Sequence, residues 1–238
     1  VLPAIRQQYE TIPGKHGSYN FSDGTLEDRI IEIECTFAES SIGDLRYKAR
    51  QLASWLYTKE TAPLIFDDEP DLFYMARIAN QIDIEQTASL GVFTLQFRCE
   101  PFAYFIEDAA SSSDLDSPTI MYRNLRLDDK FAYSVTNPIT VEVNNFGTFE
   151  TPPVIQVDGS FTTLSITVGG TTFNYTEALS NDTLIIDNER LKVMVGSTNK
   201  LNKVTGNFIT LPVGINQVTI GGTGLNCTVY FLFNPRYL

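Results

Sequence analysis

His16 is the single histidine of this 238-residue chain, so any chemistry needing an imidazole must run through it. It lies in Pro13-Gly-Lys-His-Gly17, a turn-forming stretch. A catalytic base must be oriented by a second group and must face a nucleophile. A lone His among glycines fits an ordinary surface residue better. The densest carboxylate group is Asp67-Asp-Glu-Pro-Asp71. Such a run can offer oxygens to Ca2+, or a pair of glycosidase acids. It lacks the glycine and the terminal Glu of an EF-hand loop, and it reads as a solvated turn between a helix and a strand. Cys35, Cys99 and Cys227 lack Cys-x-x-Cys spacing and sit in alternating apolar stretches. They are expected to be reduced core residues of a chain folded in a reducing cytosol. Gly221-Gly-Thr-Gly224 has neither the Lys-Ser/Thr nor the helix of a phosphate loop, and reads as a hairpin turn. No catalytic residue, metal ligand or cofactor is expected, and the chain is not expected to be an enzyme.

The elements around these residues fall into two regions. Ile31, Ile33, Cys35 and Phe37 alternate with Glu32, Glu34 and Thr36, the period of a half-buried strand. Ser41 is a candidate N-cap, with Asp44 in the first turn. Ile42, Leu45, Ala49, Leu52 and Leu56 then form one apolar stripe on a helix of about four turns, ended by Thr61-Ala-Pro63. Trp55, the only Trp, is expected between helix and sheet. Leu72–Ile82 and Val92–Cys99 read as strands, the latter with Phe93, Leu95, Phe97 and Cys99 on one face. The N-terminal part is therefore an α+β domain, an antiparallel sheet with one helix.

The stretch from Asp108 to Pro118 is small and polar, and Gly, Asn and Thr become frequent after about Val135. We place the boundary near 134, giving domains 1–134 and 135–238. The second shows no helical period. Candidate strands are Ile139–Val143, Val154–Val157, Leu164–Val168, Thr172–Tyr175, Thr183–Ile186, Leu191–Val195, Phe208–Leu211, Gln217–Ile220 and Cys227–Phe233. Turns are expected at Asp158-Gly159, Gly169-Gly170, Asp187-Asn188 and Gly221-Gly222. This pattern fits an all-β sandwich. Tyr175, Tyr230 and Tyr237 give it weak support as a sugar-stacking platform.

The net charge of −12 is uneven. Residues 1–134 carry 12 Lys+Arg against 22 Asp+Glu, and residues 135–238 carry 5 against 7. An acidic first half cannot bind nucleic acid by neutralising phosphates, but it can line a passage that DNA crosses without sticking. No apolar run approaches the roughly 20 residues of a membrane helix, and nothing at the start reads as a secretory leader.

Several stretches, in order, resemble the distal tail proteins of long, non-contractile-tailed phages, especially those of Gram-positive hosts. They are Ile12-Pro-Gly-Lys-His-Gly17, Arg29-Ile-Ile-Glu-Ile-Glu34, Trp55-Leu56 with Leu64-Ile-Phe-Asp-Asp68 and Phe73-Tyr-Met-Ala-Arg77, and Gly91 to Tyr104 with Pro101. Asn144-Asn-Phe-Gly147, Pro152-Pro-Val-Ile155, Leu184-Ile-Ile-Asp187 and Pro212-Val-Gly-Ile-Asn216 resemble the second domain of that family. Family members usually have further residues before the early turn, so an N-terminal piece is expected to be missing.

The resemblance implies a virion structural protein at the tail tip, assembled in the host cytoplasm. Its first domain would form a homo-hexameric hub ring, single or stacked, with an axial channel for DNA. Its sandwich, galectin-like or carbohydrate-module-like, would project outward. Implied partners are the tail tube protein, the tail-associated tip protein and receptor-binding proteins, with DNA only in transit and no membrane. Pro13, Gly14, Gly17, Trp55, Asp67, Asp68, Tyr74 and Pro101 are the implied structural signature. The alternative is a carbohydrate-binding module that contacts the host cell wall. Pro13 to Asp28 reads as lying outside regular secondary structure, either an arm for a neighbouring subunit or a loop on its own domain.

Overall fold

The computed structural model describes residues 2–38, 42–79, 85–87, 90–106 and 129–238. The chain divides into two compact units, Val1–Ala103 and Tyr104–Tyr237. Ala132–Val135 is a strand of the second unit, paired with Cys227–Tyr230.

The first unit begins with two short strands, β1 (Tyr9–Glu10) and β2 (Tyr19–Asn20). Next come β3 (Arg29–Ala38), helix α1 (Ile42–Leu56), β4 (Ala62–Phe66), β5 (Glu69–Ile78), β6 (Glu85–Thr87) and β7 (Leu90–Cys99). β7 pairs antiparallel with β3 from Arg29↔Cys99 to Ala38↔Leu90. On its other edge β7 takes β5 through Ala76–Ile78 and β6 through Val92–Leu90. The alternating apolar residues share one face. Phe93 and Leu95 are buried with Leu56 of α1, and Ile33, Cys35, Leu52, Ile78 and Phe97 pack around them. The α+β reading holds.

Three expectations here need correction. Trp55 does not pack against the sheet; it is 75 % exposed. It lies about 100° round the helix from Leu56, so docking Leu52 and Leu56 turns the indole outward. Thr61-Ala-Pro63 does not end the helix, which stops at Leu56. Pro63 sits in β4, opposite Met75 of β5, and β4 has no second partner among the described pairings to need its missing N–H. The acidic run is not a helix–strand turn. Asp67-Asp68 is the two-residue connection of a hairpin between β4 and β5. The expected cap Ser41 lies outside the described residues, as do the side chains of Ile42 and Leu45 and the end of the expected strand beyond Ala79.

Strand β8 (Ala103–Phe105) spans the division. The second unit continues with β9 (Ala132–Val135), β10 (Ile139–Asn145), β11 (Val154–Phe161), β12 (Thr163–Val168), β13 (Thr171–Tyr175), β14 (Leu179–Asp187) and β15 (Lys192–Val195). It ends with β16 (Thr198–Asn199), β17 (Val204–Gly206), β18 (Gly214–Thr223), β19 (Asn226–Leu232) and β20 (Arg236–Tyr237). Two antiparallel sheets result, in the orders β10-β18-β12-β13-β17 and β16-β15-β14-β11-β19-β9. Period-two alternation brings Val143, Ile166, Phe173, Val218 and Ile220 of the first sheet, and Ile155, Val157, Leu184, Ile186, Val229 and Phe231 of the second, to 0 % exposure. Burying each such side chain contributes about 1.5–3 kcal/mol, so a two-sheet sandwich follows from the pattern.

Gly169-Gly170 forms the expected two-residue turn between β12 and β13, with φ of +55° and +86°. Two other glycine turns prove to be strand. Gly159 sits in β11 beside a register shift, where a Cβ would come 2.4 Å from the Asn226 carbonyl oxygen. Gly222 sits in β18, where a Cβ would come 2.0 Å from the Thr163 carbonyl oxygen. Both glycines mark close backbone approach instead of reversal. Phe208–Leu211 is not a strand either. Its backbone is taken up by the Asn188 side chain at Ile209 and by the isolated bridge Thr151↔Leu211.

Candidate assembly surfaces

Residues 4–28 of the first unit form a two-stranded ribbon. The Glu27 N–H donates to the Ala4 carbonyl, Arg6 to Thr25 and Phe21 to Gln8, each at 2.8 Å. Tyr9↔Asn20 and Glu10↔Tyr19 continue the ladder. At the tip the Lys15 N–H donates to the Ile12 carbonyl at 3.1 Å, with Pro13 second in the turn and Gly14 third at φ +85°. That is a type II turn, which needs φ > 0 at its third residue and favours Pro before it. Gly17 follows at φ +80°, and a Cβ on either glycine would meet nothing within 4 Å. His16 is exposed on this tip. The Asp23 carboxylate accepts from the Thr25 N–H and hydroxyl, at 3.0 and 2.6 Å, and these bonds lower its pKa. The expectation of irregular chain over Pro13–Asp28 is thus replaced by a ribbon. Ile5, Tyr9, Ile12, Tyr19 and Phe21 are all exposed on it. An isolated hairpin is marginal in water, and exposed apolar groups on such a projection mark an interaction surface.

The ribbon is rooted at Arg29, a buried residue that sequence reasoning did not single out. Its Nη2 donates to the Pro101 carbonyl at 2.8 Å, and its guanidinium lies 5.2 Å from the Tyr74 ring centroid. Arg29 thereby joins Tyr74 and Pro101, two of the residues expected as structural from the resemblance. Burial raises the Tyr74 phenol pKa, and the Arg29 charge opposes that rise. Opposite Arg29 in register, the Cys99 thiol is pushed up to about 11 by burial. The available signal was phase. Arg29 falls on the same alternation as Ile31, Ile33 and Cys35, and a charged residue on an apolar phase needs a fixed partner.

The other residues of that expected set sit apart. Trp55 belongs to an outer helix face that also presents Tyr47, 64 % exposed, with Tyr57 following at 71 %. Asp67 and Asp68 form the exposed hairpin turn. The unit is acidic, with 9 Lys+Arg against 16 Asp+Glu in residues 1–103. Glu32 and Glu34 line the sheet face away from α1, Glu32 accepting from Gln96 Nε2 at 2.7 Å.

In the second unit the recurrent Asn motifs are amide clips. The Asn145 amide donates to the carbonyls of Phe149 and Leu211, at 2.9 and 3.0 Å, and its oxygen accepts from the Gly147 N–H. Asn188 donates to Pro153 and accepts from Ile209. Asn216 donates to Pro212 and Gly214. These bonds hold the loops at one end of the sandwich. Tyr175 is buried, which removes it as a sugar platform, while Tyr230 and Tyr237 are half-buried. Among the described residues, no group of three or more His, Cys, Asp or Glu is arranged to hold a metal ion.

Two family models match the chain in order: a phage tail protein RIFT-related domain over residues 2–99, and the C-terminal domain of a siphovirus-type tail component over residues 146–237. No curated protein matches. Among solved structures, the crystal structure of the Dit protein of phage SPP1 matches with a TM-score of 0.71 and 18 % identity. The match covers 100 % of this chain and 90 % of that one. That protein is described as a paradigm of hub adsorption apparatus in phages infecting Gram-positive hosts. At this identity the likeness concerns the fold.

Proposed function

The chain belongs to the distal tail proteins of siphophages, and from that premise we propose that it forms a hexameric hub ring at the tail tip of a phage of a Gram-positive host. The ring joins the tail tube to the tip and host-adsorption proteins and leaves an axial channel for DNA. The first unit forms the ring, and the sandwich projects as an adaptor for receptor-binding proteins. The role is structural and involves no catalysis.

The observation that carries this reading is the ribbon of residues 4–28, whose Tyr9, Ile12, Tyr19 and Phe21 are exposed. A neighbouring subunit is the natural cover for it. Pro13, Gly14 and Gly17 then serve to shape the ribbon tip, while Tyr74 and Pro101 fix its root through Arg29. The acidic balance of the unit suits a channel wall that repels phosphates and lets DNA pass. A cell-wall module finds less support, since the sandwich contains no Trp and buries Tyr175.

Native mass measurement of the isolated protein tests the ring. Six chains, or twelve in two stacked rings, are expected; a strict monomer at high concentration counts against it. For the channel, Glu32→Gln with Glu34→Gln is expected to slow DNA ejection from assembled phage, and unchanged kinetics would remove those residues from the channel wall.

A further inference from the structure

We infer that the outer face of α1 in one copy receives the β4–β5 hairpin tip of the next, a head-to-tail contact between copies of this chain that deepens, and rests on, the ring reading. Tyr47, Gln51 and Trp55 follow one another at i, i+4 and i+8, so they share one stripe of the helix, roughly 12 Å long at 1.5 Å per residue. Lys48 and Arg50 flank that stripe on its two sides. All five are exposed, Trp55 at 75 %. Large aromatic groups ringed by charge are the usual anchors of protein interfaces.

The hairpin tip is the complement in both respects. Asp67, Asp68 and Glu69 are consecutive and exposed, and Ile65 beside them is 44 % exposed. None of Lys48, Arg50, Asp67, Asp68 and Glu69 forms an ion pair among the described residues. The two patches are also too far apart to satisfy each other within one copy. Leu56, at the end of α1, shares a cluster with Ile78 at the end of β5. Asp68 lies ten residues back along the hairpin, which is about 33 Å at 3.3 Å per residue. Opposite charges at opposite ends of one unit, each with exposed apolar area, describe a heterologous contact. Such contacts close into rings when the rotation permits.

Charge reversal in the full-length chain tests the pairing. Lys48→Glu with Arg50→Glu, and separately Asp67→Lys with Asp68→Lys, are each expected to raise the concentration for half-assembly roughly tenfold or more. Both pairs are on exposed surface, so the melting temperature of the unassembled chain should stay unchanged. Combining all four changes in one chain should restore assembly. Mixing the two variants in equal amounts should do so too, since an alternating ring satisfies every contact. Half-assembly of the unaltered protein should also require more protein as salt rises. If the unaltered protein is monomeric, both the ring and this contact fall. If it forms rings that neither reversal disturbs, the contact falls and the ring stands. If reversal disrupts assembly but the four-fold combination and the mixture fail to restore it, the pairing is wrong.

Discussion

The two units treat their apolar residues in opposite ways. Among the described residues of the second unit, two inner sheet faces bring Ile166, Phe173 and Val218 on one side and Ile155, Leu184, Val229 and Phe231 on the other to 0 % exposure. Among its described residues the first unit clusters Leu56, Phe93 and Leu95 beneath its helix and also buries Leu72, Ala76 and Cys99, while leaving Trp55, Tyr57, Tyr47, Phe21 and Tyr9 more than half exposed. A sandwich that satisfies itself has its stability in its own core. A unit that exposes aromatic groups on a ribbon and on a helix holds part of its burial for another molecule. The same division runs through the polar groups. The second unit uses buried amides on its own loops, whereas the first leaves Asp67, Asp68, Lys48 and Arg50 exposed and without an ion-pair partner among the described residues.

The largest expected break of this contrast is Phe231→Ala. It empties a fully buried site in the second unit and should destabilise the protein by about 3–5 kcal/mol in urea unfolding. Asn145→Ala comes next. It removes the amide donor to the Phe149 and Leu211 carbonyls and takes the acceptor from the buried Gly147 N–H, and about 1–3 kcal/mol should be lost. Alkaline pH separates the units more gently. Burial pushes the phenols of Tyr133 and Tyr175 up to about 12, from ordinary values of 10, and the Cys99 thiol up to about 11, from 9. In the unfolded chain these groups lose their protons first. The stability they contribute is therefore complete below about pH 9 and declines as pH rises through 9 to 12. Two of the three lie in the sandwich, so its thermal midpoint should fall further than that of the first unit between pH 9 and 11. The smallest effect is expected at Trp55→Ser, within about 0.5 kcal/mol for the unassembled chain. A loss above 2 kcal/mol there would mean that the indole supports its own unit after all.

Alternation was the legible part of the sequence. Phe93, Leu95, Phe97 and Cys99 landed on one face, and most strands of the sandwich were placed within a few residues. What failed were positions decided by approach between distant segments. Gly159 and Gly222 look like turn residues, yet they are in strands because Asn226 and Thr163 come too close for a side chain. Phe208–Leu211 has a strand composition, but its hydrogen bonds are claimed by the Asn188 amide and by Thr151. An aromatic residue in α1 is expected between helix and sheet, but the angular distance of Trp55 from Leu56 already places it to one side. The ribbon was missed because its strands are short and its alternation is interrupted by Asx turns at Asn20 and Asp23.

The position of β19 has a consequence for synthesis of the chain. It lies inside its sheet, between β11 and β9, yet it is among the last strands to leave the ribosome. Until residue 232 emerges, β9 has no partner in the sheet and β11 has one open edge. Strands β1 to β7 are all translated by Cys99, roughly ten seconds earlier at 5–20 residues per second. The surfaces that await a neighbour are thus formed while the sandwich is still open. A ribosome stalled shortly before β19 would release a chain able to engage other copies but unable to close its second half.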